Sequence, residues 1–251
     1  MTLELLICTI DEGIDRLREA LLPVRRDVRY LVSWQHTGPR PDVPDWLRGR
    51  SDVRVVLLEG RGLSRNRNHA LAHAEGDILK ICDDDERWTN SYFDNILSVY
   101  RQHPEYDIVH FKAIGPRKEY PPRFVSSWEM TLRRAALGSL RFDERFGLGS
   151  EVLNAGEEAV FLCDARRLGL RIHYAPLPIC QTEPDTTGTQ WQSPLLQRSK
   201  GAVFCYTRGF PYALYKSVRE SLGLMVRKRT NPFPILRNML WGARYILEWP
   251  R

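Results

Sequence analysis

Four short apolar segments in the first third of the chain predict buried β-strands. They cover residues 3–9, 28–33, 53–58 and 78–82. Continuous apolar runs, rather than alternating patterns, are typical of parallel strands that are buried on both faces. Helical patterns follow the first and third segments, over 14–22 and 64–74. This alternation predicts an α/β fold with a Rossmann-like, mostly parallel central sheet and flanking helices.

The rest of the chain continues this alternation less regularly. Strands are predicted over 107–113 and 172–179, the latter at a sheet edge because it contains two prolines. The stretch 128–137 fits either a helix or a strand. Loops are predicted over 142–150 and over 183–188, and the second of these is polar enough to cover a binding site.

The C-terminal segment 198–251 carries the basic character of the chain. It holds eleven Lys or Arg and two acidic residues, whereas residues 1–197 have a net balance of −3. Two amphipathic helices are predicted here, over 201–222 and 234–247. The second fits either packing on the protein's own core, which we favour, or lying on a membrane surface. A nearly neutral body with a basic, aromatic tail indicates an anionic membrane surface as a partner rather than nucleic acid.

Composition and cysteine spacing indicate the compartment. Hydrophobic residues make up 43% of the chain and charged residues 27%, as in ordinary globular proteins. The five cysteines are not in C-x-x-C spacing, so we expect reduced core residues rather than a zinc site or a disulfide framework. The sequence shows neither a signal peptide nor a run of about 20 apolar residues. We therefore expect a cytoplasmic protein that contacts the inner face of the cell membrane peripherally.

Four acidic residues, Asp83 to Glu86, follow the fourth predicted strand directly. In open α/β sheets, ligands bind outside the carboxyl ends of the strands. Carboxylates gathered there repel one another unless a cation lies among them, so the sequence predicts a divalent metal. If the chain stays extended, Asp83 and Asp85 point the same way and can share one ion. A solvated acidic loop that caps the next helix is the alternative.

A glycine-rich turn, residues 60–68, follows the third predicted strand and opens a helix, for which Ser64 is the predicted N-cap. Helix N-termini attract anions, and the guanidinium groups of Arg61, Arg65 and Arg67 suit phosphate. Arginines on a solvated helix face are the alternative. Next to the acidic cluster, the turn indicates a nucleotide diphosphate held between arginine and metal.

A third polar cluster opens the helix predicted after residue 153. Asn154 and Glu157 have the spacing of a capping box, with Asn154 at the N-cap and Glu157 three residues later. Glu158 is not needed for this cap. Its carboxylate either interacts with the helix dipole or serves as the general base of a transfer reaction.

Five stretches, in their order along the chain, resemble family 2 glycosyltransferases of the GT-A fold. They are YLVSWQ (30–35), GLSRNRN (62–68), ICDDD (81–85), FDERFGLG (142–149) and GEEAVFL (156–162). The resemblance spans about 5–222 and is greatest to a branch associated with bacterial surface and capsular polysaccharides. It implies an inverting enzyme that moves a sugar from a UDP-sugar to a hydroxyl of a polysaccharide or lipid-linked acceptor, with Mn²⁺ or Mg²⁺ as cofactor.

The resemblance also implies roles for individual residues. Asp83 and Asp85 would be the metal ligands of a DxD motif. The nucleotide-sugar-binding residues would be Asp11, Gln35, Arg65, Asn68, Asp83 and Asp84. Glu158 falls where the family has its catalytic base, and Glu157 is its rival. Two positions depart from the family: Gln35 stands where many relatives have an acidic residue, and the run 180–183 stands where many have a histidine.

The same resemblance divides the chain into a GT-A domain, residues 1–197, and a basic helical segment, residues 198–251. Within the domain, the nucleotide-sugar half would span about 1–113 and the acceptor half about 114–197. The sequence makes no prediction of the oligomeric state.

Two other functions compete with sugar transfer. An NDP-sugar nucleotidyltransferase normally carries a glycine-rich, lysine-containing signature after its first strand, and residues 9–13 contain no lysine. A non-catalytic nucleotide-sugar-binding protein, descended from a transferase, is the second alternative. The presence of Asp83, Asp85 and Glu158 argues against such decay.

Overall fold

The computed structural model describes residues 1–115, 125–182 and 191–249. Its strands are β1 (Leu3–Ile10), β2 (Val28–His36), β3 (Val53–Glu59), β4 (Ile78–Asp83), β5 (Ile108–Ile114), β6 (Met130–Arg133) and β7 (Ile172–Gln181). Its α-helices are α1 (Leu17–Ala20), α2 (Asp45–Arg48), α3 (Leu63–His73), α4 (Asn90–Gln102), α5 (Glu157–Arg167), α6 (Pro194–Arg208), α7 (Phe210–Lys228) and α8 (Pro232–Glu248). The loop predicted over 183–188 lies outside the described residues.

The strands form one seven-stranded sheet in the order β3-β2-β1-β4-β6-β5-β7. β1 pairs in parallel with β2 and β4, β2 with β3, and β5 with β7. β6 runs antiparallel to both of its neighbours, β4 and β5. β7 forms one edge of the sheet, as its prolines predicted. This architecture confirms the predicted α/β fold with a mostly parallel central sheet and flanking helices.

The chain divides into two compact units. Unit 1 comprises Met1–Arg141 and Asp164–Pro184, and unit 2 comprises Phe142–Cys163 and Asp185–Arg251. Unit 1 contains the whole sheet, with α3 packed on β1 and β2 and α4 packed on β7. Unit 2 contains α6, α7 and α8. The functional division into a nucleotide-sugar half, an acceptor half and a tail stays a prediction.

The core of unit 1 explains why its strands are so apolar. Leu3, Leu5, Leu6 and Ile7 are all fully buried, on both faces of β1. A strand in the middle of a parallel sheet is covered on each face, so every side chain along it must leave water. The stretch 128–137, which fitted either a helix or a strand, contains the short strand β6 at 130–133. A 3-10 turn flanks β6 on each side.

Three helices differ from the sequence predictions in their type or in their bounds. After β1 a 3-10 helix (Asp11–Arg16) and the single turn of α1 replace the longer helix expected to run to Leu22. The chain becomes extended at Leu21 (ψ 121°), two residues before Pro23. α3 begins at Leu63, with Gly62 at the N-cap in a positive-φ conformation (φ +122°). The prediction of Ser64 as the N-cap was therefore wrong.

The predicted capping box at Asn154 was also wrong. α5 begins at Glu157, directly after Gly156, whose φ is +93°. Asn154 lies before the cap, and its Oδ1 accepts a hydrogen bond from Ser199 Oγ at 3.3 Å. A capping box does occur elsewhere, where Ser126 and Glu129 cap a 3-10 turn before β6.

Unit 2 contains three long helices where the sequence predicted two. Gly209, at φ +81°, ends α6 and separates it from α7. α8 packs closely on α6, because a Cβ on Gly201 would lie 1.8 Å from Met239 O and one on Gly242 would lie 1.9 Å from Arg198 O. The buried side chains of α8 include Ile235, Met239, Ala243 and Ile246, so its apolar face belongs to the protein's own core. Among the described residues, no helix combines the length and apolar character needed to cross a bilayer.

Candidate functional site

The carboxyl ends of β1, β2 and β4 meet at one edge of the sheet in unit 1. From β1 the chain moves outward to β2 and β3, and then returns to the other side of β1 as β4. The crevice between β1 and β4 is therefore a topological switch point, where open α/β sheets bind their ligands. The acidic residues after β4 and Asp11 after β1 both lie at this edge.

The acidic segment forms a turn rather than an extended strand. β4 ends at Asp83, and the chain turns at Asp84 and Asp85. Glu86 stabilises this turn, because its Oε1 accepts the backbone N–H of Asp83 at 2.8 Å. The premise that Asp83 and Asp85 point the same way along an extended chain was therefore wrong. The turn instead gives each of the three aspartates a different set of neighbours.

Asp84 links the acidic turn to the end of β1. Thr9 Oγ1 donates to its Oδ2 at 2.6 Å, and Arg16 Nη1 donates to its Oδ1 at 2.9 Å. A glycine is needed opposite, since a Cβ on Gly13 would lie 2.4 Å from Asp84 Oδ2. Both carboxylate oxygens of Asp84 thus have protein donors, which holds the two sides of the crevice together.

Asp83 forms an ion pair with a buried arginine. Arg67 Nη2 donates to Asp83 Oδ1 at 3.3 Å and to Ser127 Oγ at 2.6 Å, and Arg67 is only 1% exposed. A guanidinium buried in this way cannot reach a diphosphate in solvent. The prediction that Arg67 joins the phosphate-binding arginines was therefore wrong, whereas Arg61 and Arg65 are exposed.

Asp85 is the exposed member of the acidic turn. Partial burial and the neighbouring carboxylates of Asp83 and Asp84 raise its pKa above the ordinary aspartate value. Unlike Asp83 and Asp84, it makes no ion pair within the described parts of the chain. An unpaired carboxylate that like charges repel is a position where a cation would be stabilised.

A buried ion pair lies directly behind the turn. Lys80 Nζ bonds to Glu86 Oε2, and both side chains are fully buried. Trp88 Nε1 also donates to Glu86 Oε2, at 3.1 Å. The sequence analysis missed this pair, although a lysine inside an otherwise apolar strand was a sign that a buried carboxylate would be nearby.

Asp11 occupies the other side of the crevice, between the ends of β1 and β2. Its φ is +47°, unusual for a residue with a side chain. Its carboxylate accepts the Thr37 backbone N–H at 2.8 Å and Thr37 Oγ1 at 2.9 Å, and these bonds lower its pKa. Trp34 Nε1 donates to the Asp11 carbonyl at 2.8 Å. Asp11 is therefore an ionised and oriented acceptor at the predicted nucleotide edge.

Two buried amides lie near the same strand ends. Gln35 is 2% exposed, and its Nε2 has no hydrogen-bond partner among the described residues. Asn66 Nδ2 donates to the Thr9 carbonyl at 3.1 Å, so the first turns of α3 are tied to β1. Asn66 was not among the predicted site residues. Of the two predicted site residues on α3, Arg65 is exposed and Asn68 is partly buried.

The candidate base belongs to unit 2. Glu157 and Glu158 occupy the first turn of α5, where the helix dipole stabilises carboxylates. Glu157 is buried, whereas Glu158 is partly exposed. Gly156 is needed just before them, because a Cβ there would lie 2.4 Å from Val203 Cγ2. Accessibility favours Glu158 over Glu157 as a group that meets a substrate.

The acidic turn suits a metal that the substrate helps to hold. In the described residues, no group of three or more His, Cys, Asp or Glu side chains is arranged to bind a metal by itself. Mg²⁺ and Mn²⁺ take oxygen ligands, and Mg²⁺ is usually bound by one or two carboxylates together with substrate phosphates and water. The exposed carboxylate of Asp85, beside Asp83, fits that pattern.

Comparison with known proteins finds a family model that matches the middle of the chain. The family model described as glycosyl transferase family 2 matches residues 39–153, which include β3, β4 and the acidic turn. Together with the fold, this match supports a family 2 glycosyltransferase of the GT-A fold, as the motifs predicted. No curated protein sequence matches the chain significantly.

Solved structures share the fold at low sequence identity. TarS residues 1–349 from S. aureus, in complex with UDP-GlcNAc, has a TM-score of 0.57 at 13% identity, over 100% of this chain and 93% of that one. Glucosyl-3-phosphoglycerate synthase from Mycobacterium tuberculosis, with Mn²⁺, UDP-glucose and phosphoglyceric acid, has a TM-score of 0.58 at 16% identity, over 83% and 80%. The chain spans 44% of a longer S. aureus TarS structure.

Proposed function

We propose that this protein is a metal-dependent, inverting glycosyltransferase that uses a UDP-sugar donor. The observation that carries the proposal is the exposed carboxylate of Asp85, repelled by Asp83 and Asp84, at the switch point of the sheet. The UDP-sugar complexes of similarly folded proteins support the choice of donor. The structure of a mannosyltransferase from Pyrobaculum calidifontis with a similar fold was solved with GDP-mannose and Mn²⁺. The experiment below therefore has to distinguish a uridine donor from a guanosine donor.

The donor would bind across the strand ends of unit 1. Asp83 and Asp85 would hold the divalent metal, whose chemistry is to neutralise charge that develops on the departing UDP. Arg65, exposed on the first turn of α3, would contact the diphosphate. The ionised Asp11 and the amide of Gln35 would face the nucleoside. Asp84 and Asn68 would support this pocket, Asp84 by joining the β1 and β4 sides.

The transfer step would use the carboxylate of Glu158, as the sequence resemblance implies. Glu158 would accept the proton of an acceptor hydroxyl while that oxygen bonds to the anomeric carbon. The bond between the anomeric carbon and the UDP oxygen breaks on the opposite side, which inverts the configuration. Glu158 is partly exposed, which supports it as the base. Glu157 is buried, so we assign it a supporting role beside the base.

The acceptor is proposed from the sequence resemblance alone. It would be a hydroxyl of a polysaccharide or of a lipid-linked glycan. The cytoplasmic location, against the inner face of the cell membrane, stays a prediction.

Incubation with a panel of UDP-sugars and Mn²⁺ is expected to release UDP from one donor, even without an acceptor. Slow hydrolysis is expected because the metal and Arg65 assist departure of the nucleotide whichever hydroxyl attacks. Coupled detection of UDP, before and after chelation with EDTA, measures this release. GDP-mannose is the control that tests whether the donor must carry uracil as its nucleotide base. UDP binding by calorimetry without turnover of any donor would instead indicate a non-catalytic binding protein, and neither binding nor turnover would refute the proposal.

Glu158→Gln is expected to lower transfer to the acceptor by about 100-fold or more, because the amide cannot take up the proton. Glu157→Gln is the matched control and is expected to change turnover much less. Both variants are compared by initial rates of sugar transfer at saturating donor. A large loss in Glu157→Gln with wild-type turnover in Glu158→Gln would reverse the assignment.

A further inference from the structure

Helix α7 presents a stripe of large apolar side chains to solvent. Six of them are between 37% and 74% exposed: Leu214, Tyr215, Val218, Leu222, Met225 and Val226. Their spacing of three, four and seven residues places them on one face of the helix. The face that α7 buries consists of small residues instead, Ala213, Ser217 and Ser221. We call these six exposed side chains the α7 stripe.

An ordinary surface helix does not have this arrangement. Single exposed apolar residues are common on soluble proteins, but contiguous apolar patches mark surfaces that bind something. α7 instead buries alanine and serines while leaving leucines and valines in water. The core of unit 2 therefore does not explain the α7 stripe.

The charges around the α7 stripe are almost all positive. Arg219 lies within it along the helix, and Arg227, Lys228 and Arg229 follow it directly. Glu220 is the one acidic residue of α7, and its Oε1 bonds to Lys216 Nζ at 3.4 Å. Phe233, the second residue of α8, is 75% exposed.

We propose that α7 binds an anionic lipid surface, with the α7 stripe at the boundary between headgroups and acyl chains. The basic cluster 227–229 would lie among the anionic headgroups. An amphipathic helix with an apolar face and flanking Lys or Arg binds membranes through these two contributions together. For the helix at 234–247 the sequence favoured core packing over a membrane surface, and the structure does bury the apolar face of α8 against α6.

A second copy of the chain is a less suitable occupant of the same surface. A symmetric contact would pair this surface with itself, and its one acidic residue, Glu220, is already bonded to Lys216, so the basic residues would meet no complementary charge. Like charges that meet at an interface cost free energy. Anionic lipid offers the complementary charge over the whole surface.

Sedimentation of the full chain with vesicles tests the inference, independently of sugar transfer. Vesicles of phosphatidylglycerol and phosphatidylcholine in equal parts are expected to bind the protein at low salt, and pure phosphatidylcholine vesicles much less. The double variant Leu222→Asp/Val226→Asp is expected to lose about tenfold or more in partitioning, because two apolar side chains no longer leave water. The control Val24→Asp/Leu168→Asp changes the same residue types at similar exposure within unit 1, and should bind like wild type.

A charge variant completes the test. Arg227→Gln/Lys228→Gln/Arg229→Gln is expected to reduce binding to phosphatidylglycerol vesicles by about 10- to 100-fold. Circular dichroism establishes that each variant is folded. Equal binding to phosphatidylglycerol-containing and pure phosphatidylcholine vesicles would overturn the inference. Wild-type binding by Leu222→Asp/Val226→Asp would also overturn it. A third contrary result would be a wild-type protein that binds no vesicles and is a dimer in sedimentation velocity, with Leu222→Asp/Val226→Asp a monomer.

Discussion

Replacement of Asp85 by asparagine is expected to reduce metal-dependent UDP release by about 100- to 1,000-fold. Asparagine keeps the size of the side chain but removes the charge that it offers to a cation. Metal stabilisation of a leaving group is worth several kcal/mol, and each 1.36 kcal/mol corresponds to about tenfold in rate. Asp83, the other proposed ligand, is paired with Arg67, and Asp84 is paired with Arg16, so neither offers a further unpaired charge in place of Asp85.

The matched control for this substitution is Asp45→Asn. Asp45 carries a carboxylate that is 97% exposed, in the short helix α2, and its neutralisation should leave turnover unchanged. Titration with Mn²⁺ at a fixed donor concentration should show a higher half-saturating metal concentration for Asp85→Asn than for wild type. The control should have the same half-saturating concentration as wild type. Wild-type metal-dependent turnover in Asp85→Asn would show that this carboxylate does not hold the metal.

Replacement of Lys80 by methionine is expected to lower the free energy of unfolding by about 3–5 kcal/mol. Burial raises the pKa of Glu86, and the charge of Lys80 is the largest influence that lowers it again. Without Lys80, the fully buried Glu86 must either keep an unpaired charge or take up a proton. Both outcomes are unfavourable, and both disturb the hydrogen bond that Glu86 accepts from the Asp83 backbone.

Urea unfolding followed by circular dichroism measures this loss as a lower midpoint at an unchanged slope. The control Lys216→Met removes a lysine from a partly exposed helical pair with Glu220 and should cost less than about 1 kcal/mol. The double variant Lys80→Met/Glu86→Gln should recover part of the loss, because no buried charge remains unpaired. A cost for Lys80→Met no larger than that of the control would show that the buried pair does not stabilise the fold. Lower affinity for Mn²⁺ in the folded fraction would further show that the pair positions the acidic turn.

The central strands could be predicted because their burial is a local property of the sequence. β1 and β4 are apolar over nearly their whole length, and they lie next to each other in the middle of the sheet. β6 could not be assigned in the same way. Its four residues owe their strand conformation to antiparallel pairing with β4 and β5, which lie far away in the sequence.

The starts of the helices show a second limit of local patterns. Ser64 and Asn154 are good capping residues, yet α3 and α5 begin after Gly62 and Gly156. Positive-φ glycines fit these two positions, and Gly156 also allows close packing on Val203. Such packing depends on a residue from a distant helix, so the capping pattern alone could not reveal it.

The sequence by itself determined that an acidic segment follows a buried parallel strand, and it thereby predicted the edge of the sheet where a ligand would bind. Strand burial and ligand placement depend on runs of neighbouring residues, which the sequence displays directly. Only the tertiary structure decided that Arg67 is buried, that Asp84 is paired and that Asp85 is exposed. It likewise decided that α8 faces the core while α7 keeps an apolar stripe in solvent. Charge and amphipathicity belong to single segments, whereas exposure depends on which distant residues fold against them.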